Sequence, residues 1–170
     1  EQNMEVVGVE LSSLAIQAFF EENNLQYTKK TLGDFNLWQA KDRPITLFEG
    51  DIFLLESTDQ RNLELLNHHA FDFVYDRASL IALPPKVRKN YYNLYKSLMG
   101  NKSKALLLTI EYESPKFEGP PFSVPEKEVI SSLESVFNMN LLGHEKIKAL
   151  SPRFLESGLE EINQKVYKIE

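Results

Sequence analysis

The stretch Phe71–Pro85, FDFVYDRASLIALPP, constrains the fold of this chain more than any other. Phe71, Phe73 and Val74 make a run rich in aromatic and β-branched residues, which predicts a strand buried on both faces. The run breaks at Asp76-Arg77. Small and apolar residues follow from Ala78 to Leu83, and Pro84-Pro85 then enforces an extended break. A buried strand that ends in charged groups sets them at the carboxyl edge of a sheet, where open α/β sheets bind their ligands. The competing reading is an ion pair that caps the next turn.

Flanking segments extend the same pattern. Glu5–Glu10, EVVGVE, reads as a buried strand ending in a carboxylate. Ser12 and Ser13 follow as candidate N-caps, and Leu14, Ala15, Ala18 and Phe19 recur at helical spacing until Asn23-Asn24. Strand, acid, helix is the second half of a βαβ unit, and an acid so placed can accept both hydroxyls of a ribose. Glu10 is therefore a nucleoside-binding candidate, with a solvated loop carboxylate as the alternative. Tyr27–Thr31 reads as connecting chain. Phe35–Ala40 and Ile45–Phe48 read as a hairpin across Lys41-Asp42-Arg43-Pro44, with the single Trp38 packed on it. After it, Gly50 allows close backbone approach, Asp51 offers an acceptor, and Ile52 and Phe53 offer an apolar wall. That set suits a flat heterocycle with an exocyclic amine; an ordinary turn has the same composition.

Thr58–His69 reads as a short surface helix. His68 and His69 are neighbours, so on a helix they point about 100° apart, and with no third ligand spaced nearby no metal site is expected. Pro85 can open a helix with an apolar stripe of Val87, Tyr91, Leu94, Tyr95 and Leu98, closed by Gly100. Ala105–Ile110, ALLLTI, reads as a central strand. Gly119–Pro125, GPPFSVP, is too rich in proline for helix or inner strand and lies where a pocket wall would be. Ser123 and Glu126 have capping-box spacing before a helix with Val129, Ile130, Leu133 and Phe137 on its buried face. Asn140–Ile147 and Lys165–Ile169 read as a terminal pair of strands, with Arg153 in the segment between them.

Composition narrows the classes. The net charge of −6 and scattered basic residues argue against a nucleic-acid partner. The absence of cysteine removes disulfides, thiolate nucleophiles and thiolate metal sites. No apolar run approaches the ~20 residues of a membrane span, so a cytoplasmic protein without a membrane partner is expected. The chain opens with Glu1 and reaches a strand within a few residues, which suggests that an N-terminal portion is missing.

Taken together, VVGVELSSLAIQAFF (6–20), DIF (51–53), YDRASLIALPP (75–85), GPPFSVP (119–125) and the Arg153 region resemble the thiopurine S-methyltransferase family. The resemblance spans nearly the whole chain. It implies a Rossmann-like α/β fold dependent on S-adenosylmethionine, with a mostly parallel sheet, an antiparallel last strand, and residues 1–170 as a single domain. It also implies that the first strand and glycine-rich turn, which should precede Glu5, are missing. Carried over by position, Glu10 would hold the cofactor ribose, and Asp51 and Ile52 would line its adenine. Arg77 would lie where cofactor and acceptor pockets meet, and Arg153 would sit over the acceptor. The reaction implied is methyl transfer to a small thiol, with S-adenosylhomocysteine as product. A monomer is expected, with association favoured if the first strand is absent. Thiol or halide methyltransferases, another nucleotide-using enzyme such as a dehydrogenase, and a truncated non-catalytic binding module are the alternatives.

Overall fold

A computed structural model describes residues 4–56, 71–149 and 151–170. The chain divides into two compact units, Glu1–His69 and Ala70–Glu170. The helix expected over Thr58–His69, with its two histidines, lies outside the described residues.

In the first unit, β1 (Val6–Glu10), β2 (Tyr27–Leu32), β3 (Phe35–Ala40) and β4 (Ile45–Glu49) form a sheet of order β1-β4-β3-β2. β1 runs parallel to β4, with Val9 opposite Phe48 and Glu10 opposite Glu49. The β3–β4 hairpin is where the sequence predicts it. β2 is a correction, since Tyr27–Thr31 reads as connecting chain but pairs antiparallel with β3. Its Lys30 is exposed, and Lys29 is exposed enough to stay charged while it pairs with Glu49, as suits an edge strand that must resist pairing with another chain. Helix α1 (Ser13–Glu22) is capped by Ser12, whose Oγ accepts from the Ala15 amide at 3.3 Å. Its buried side chains are Ile16 and Phe20, which pack on Trp38. Leu14 instead is 76 % exposed, so the helix is rotated from the face that its apolar spacing suggests.

In the second unit, β5 (Phe71–Arg77), β6 (Met99–Glu111), β7 (Met139–Lys148) and β8 (Glu161–Ile169) take the order β5-β6-β8-β7. β5 and β6 are parallel, and β8 lies antiparallel between β6 and β7. That is the inserted antiparallel last strand expected of the fold. Helices α2 (Pro85–Leu98), α3 (Glu126–Leu133) and the short α4 (Pro152–Glu156) complete the unit. α2 passes straight into β6, so Gly100 is a strand residue and not the helix cap expected of it.

β5 departs from expectation in burial. It is the end strand of its sheet, and Phe73 and Tyr75 are 56 % and 57 % exposed. Alternation then decides which residues face inward: Val74 and Asp76 share one face, Phe73, Tyr75 and Arg77 the other. The apolar run reads as a two-sided strand, but only one face has cover among the described residues.

Candidate active site

Glu10 and Asp51 come together through strand pairing. Their strands are adjacent and parallel, so both strand ends lie at one edge of the sheet. The Gly50 amide donates to the Glu10 carbonyl at 3.0 Å, which stitches the two ends. Glu10 Oε1 accepts from the Ser12 amide at 2.7 Å, and this fixes the carboxylate beside the start of α1. Asp51 Oδ1 accepts from the Phe53 amide at 3.0 Å, at the head of the 3-10 turn Ile52–Glu56. Among the described residues each carboxylate is held through one oxygen only, Oε1 of Glu10 and Oδ1 of Asp51. Gly50 is required by close approach: a Cβ there would stand 2.5 Å from the Phe35 ring. Half-buried Ile52 adds an apolar surface beside the two acids. An acceptor that can take two hydroxyls, a second acceptor and an apolar wall are the chemistry a nucleoside needs.

Trp38 behaves as a packing residue, as expected. It is buried, its Nε1 donates to Glu49 Oε2 at 2.7 Å, and Lys29 Nζ lies 4.3 Å from its ring centroid. The hydrogen bonds from Lys29 and Trp38 hold the Glu49 carboxyl below its ordinary pKa.

In the second unit, Asp76 and Arg77 do not pair with each other; they point to opposite sides of β5. Asp76 is 3 % exposed and its Oδ2 accepts from Tyr91 Oη at 2.9 Å. Burial raises its pKa, against the opposing bond from Tyr91. Arg77 is exposed, and among the described residues its side chain makes no hydrogen bond or ion pair. Ala78 then takes φ +71°, and this left-handed residue turns the chain sharply away from the strand end.

The Gly119–Pro125 loop is held by its own carbonyls. Arg153 Nη1 donates to Pro120 O at 3.0 Å and Nη2 to Gly119 O at 3.5 Å, while its guanidinium lies 5.6 Å from the Phe117 ring. Tyr112 Oη donates to Pro121 O at 2.6 Å, and the Phe122 amide donates to Ile81 O at 2.6 Å. The bonds from Gly119–Pro120 and from Pro120–Pro121 are both cis. Ser123 does not form the expected capping box; its Oγ accepts from the Tyr112 amide, and Pro125 stands at the α3 N-cap. Gly119 has φ +98° and a Cβ there would meet the Phe122 ring at 2.5 Å, whereas Gly158 has φ +80° and open space around it. Gly119→Ala is therefore expected to lower stability by more than Gly158→Ala, whose backbone strain costs about 1–3 kcal/mol. Equal melting temperatures for the two variants would show that the loop yields to the added methyl.

Sequence reasoning missed two charged clusters. Arg88, 2 % exposed, donates from Nε to Leu83 O at 3.0 Å, from Nη2 to Ser123 O at 2.9 Å and from Nη1 to Glu128 Oε2 at 2.8 Å. The available signal was an arginine three residues before Tyr91 and four before Tyr92, on the buried stripe of α2. Lys165 on β8 bridges Glu111 on β6 and Glu126 on α3. Burial works to lower its pKa, but the two carboxylates outweigh that and raise it.

The arrangement of these elements matches solved methyltransferases. The chain superposes on an S-adenosylmethionine-dependent methyltransferase of Anabaena variabilis with a TM-score of 0.59 and 11 % identity, covering 98 % of this chain and 68 % of that one. The fold is the Rossmann-like methyltransferase fold. A family model for thiopurine S-methyltransferase matches residues 1–170, and the chain belongs to that family. It is 37 % identical over 169 residues to the thiopurine S-methyltransferase of Pseudomonas aeruginosa (strain UCBPP-PA14), covering 99 % of this chain and 73 % of the relative. It is 34 % identical over 169 residues to that of Shewanella pealeana, with the same coverage. The dehydrogenase, thiol or halide methyltransferase and binding-module readings are not favoured.

Proposed function

We propose that this chain transfers a methyl group to the sulfur of a small thiol, using S-adenosylmethionine. The observation that carries the reading is the whole-chain match to the thiopurine S-methyltransferase family. Glu10 and Asp51 at adjacent parallel strand ends support it, because they supply what the nucleoside end of that cofactor needs. The same match, running over both units, supports residues 1–170 as one methyltransferase domain. No described helix is long and apolar enough to cross a membrane, and the reading includes a cytoplasmic monomer with no nucleic-acid partner.

Glu10 would accept from the ribose hydroxyls, and Asp51 from the adenine amine, with Ile52 against the ring. Bound S-adenosylmethionine supplies an electrophilic methyl on a sulfonium. Displacement at such a carbon is in-line and asks little covalent help, so holding donor and acceptor aligned dominates the rate. Arg77 would favour the acceptor's thiolate, the reactive form, by its positive charge. Arg153, bonded to the Gly119–Pro125 loop, would complete the acceptor wall.

Titration of S-adenosylhomocysteine by calorimetry tests the reading. Saturable binding is expected. Glu10→Gln keeps an acceptor for the Ser12 amide but loses the charge. Because a hydrogen bond to a charged group contributes about 1.5–3 kcal/mol, affinity should fall by roughly 10- to 100-fold. No binding by the folded chain would remove the reading, and an unchanged affinity in Glu10→Gln would remove Glu10 from the site.

A further inference from the structure

Arg88 is out of place by the ordinary rules. A guanidinium at 2 % exposure and its carboxylate partner could together be replaced by apolar side chains of similar volume, often without loss of stability, although removing the guanidinium alone strands its partners. What an apolar residue could not do is hold two carbonyls in fixed relation. The planar fork of Arg88 does that, with Nε on Leu83 O and Nη2 on Ser123 O, 35 residues away in sequence. Glu128 balances the charge and is itself held by Tyr92 Oη at 3.2 Å.

The two carbonyls belong to segments of consequence. Leu83 closes the turn that leaves β5 just after Arg77. Ser123 lies in the loop whose Gly119 and Pro120 carbonyls hold Arg153. These segments follow the carboxyl ends of two parallel strands, the edge where α/β enzymes build their sites. A second tie joins them nearby, the Phe122 amide to Ile81 O.

We infer that Arg88 is a positioning residue for the methyl acceptor: by spanning Leu83 O and Ser123 O it sets the spacing between the turn that follows Arg77 and the loop that holds Arg153. The inference rests on the methyltransferase reading for its kinetic part only. Arg88 touches no reacting atom; it acts through the loop.

The test uses the full chain, with thiophenol as acceptor probe and the variants Arg88→Lys and Arg88→Met. Lysine keeps the charge and loses the fork; methionine keeps the bulk alone. For Arg88→Met the KM for thiophenol is expected to rise about tenfold or more, with S-adenosylhomocysteine affinity unchanged within about twofold. Arg88→Lys should fall between Met and wild type. Hydrogen exchange at the Phe122 amide should accelerate about tenfold or more while the Leu107 amide, central in β6, stays protected. Glu128→Gln, which leaves the fork in place, should move both readouts in the same direction by less.

An unchanged acceptor KM, or a parallel loss of acceptor and cofactor binding, would overturn the assignment. So would unaltered exchange at Phe122. If neither Arg88 variant folds, Glu128→Gln decides: a lowered melting temperature with KM and exchange unchanged makes Arg88 a stability element only. Should the wild-type chain bind no S-adenosylhomocysteine, the methyltransferase reading fails by itself, and exchange at Phe122 still tests the clamp.

Discussion

With an alkyl thiol as acceptor, whose pKa lies above the assay pH, Arg77→Met is expected to reduce methylation by roughly 10- to 1,000-fold near neutral pH, because a neighbouring cation lowers the pKa of an ionising group by about 1–3 units. Each unit is a tenfold change in thiolate below the acceptor's pKa. The deficit has a distinctive pH dependence. Above the pKa of the free thiol the acceptor is already ionised, so wild type and variant should converge as pH rises. Arg77→Lys retains the charge without the fork and should recover part of the loss. The residue is exposed and forms no side-chain hydrogen bond among the described residues, so the melting temperature should scarcely move. Wild-type turnover in Arg77→Met would remove the residue from the reaction. A deficit constant with pH would show that it aligns the acceptor and does not ionise it.

The largest loss of stability is expected at Phe20. Its side chain is fully buried, its ring lies 4.8 Å from that of Tyr27 and stacks 6.2 Å from Trp38. Truncating such a residue to alanine costs about 3–5 kcal/mol, a large share of the 5–15 kcal/mol that holds a typical domain. Leu14→Ala on the same helix, at an exposed position, should be close to neutral. The single tryptophan makes the measurement direct, since Trp38 packs against Phe20 and reports unfolding of this unit through its fluorescence in urea. A loss under about 1 kcal/mol for Phe20→Ala would mean that the cluster refills the space, contrary to the rigid packing assumed.

The parts of this molecule legible in its sequence are those fixed by local chemistry. Apolar runs ending in charge marked β1 and β5, the proline-rich segment marked the loop, and Ser12 marked the start of α1. Other features depend on partners remote in sequence. β2 reads as a linker because YTKKTL is mostly polar, and only its pairing with β3 makes it a strand. Phe73 and Tyr75 read as core, yet the face of β5 that they share has no cover among the described residues. Ser123 satisfies a capping-box spacing, but the Tyr112 amide reaches its hydroxyl instead. Glu10 was visible as a candidate because it ends a strand, and Asp51 and Ile52 because they follow Gly50 in a turn; that their strands are neighbours comes only from the pairing of β1 with β4. Arg88 was hidden because its acceptors, Leu83 and Ser123, are brought to it only by tertiary structure.

If, as proposed, it walls the acceptor, the loop from Gly119 to Pro125 has a consequence for selectivity. Its carbonyls at Gly119, Pro120, Pro121 and Ser123 accept from the protein itself, and its amides at Phe122 and Val124 donate to Ile81 and Ile110. Such a wall offers a ligand few open hydrogen-bonding groups; what it presents is contour. Contour discriminates weakly, since a methylene more or less in an apolar pocket changes the preference by only about 10- to 200-fold. An enzyme so walled would sort its acceptors mainly by size, and only loosely.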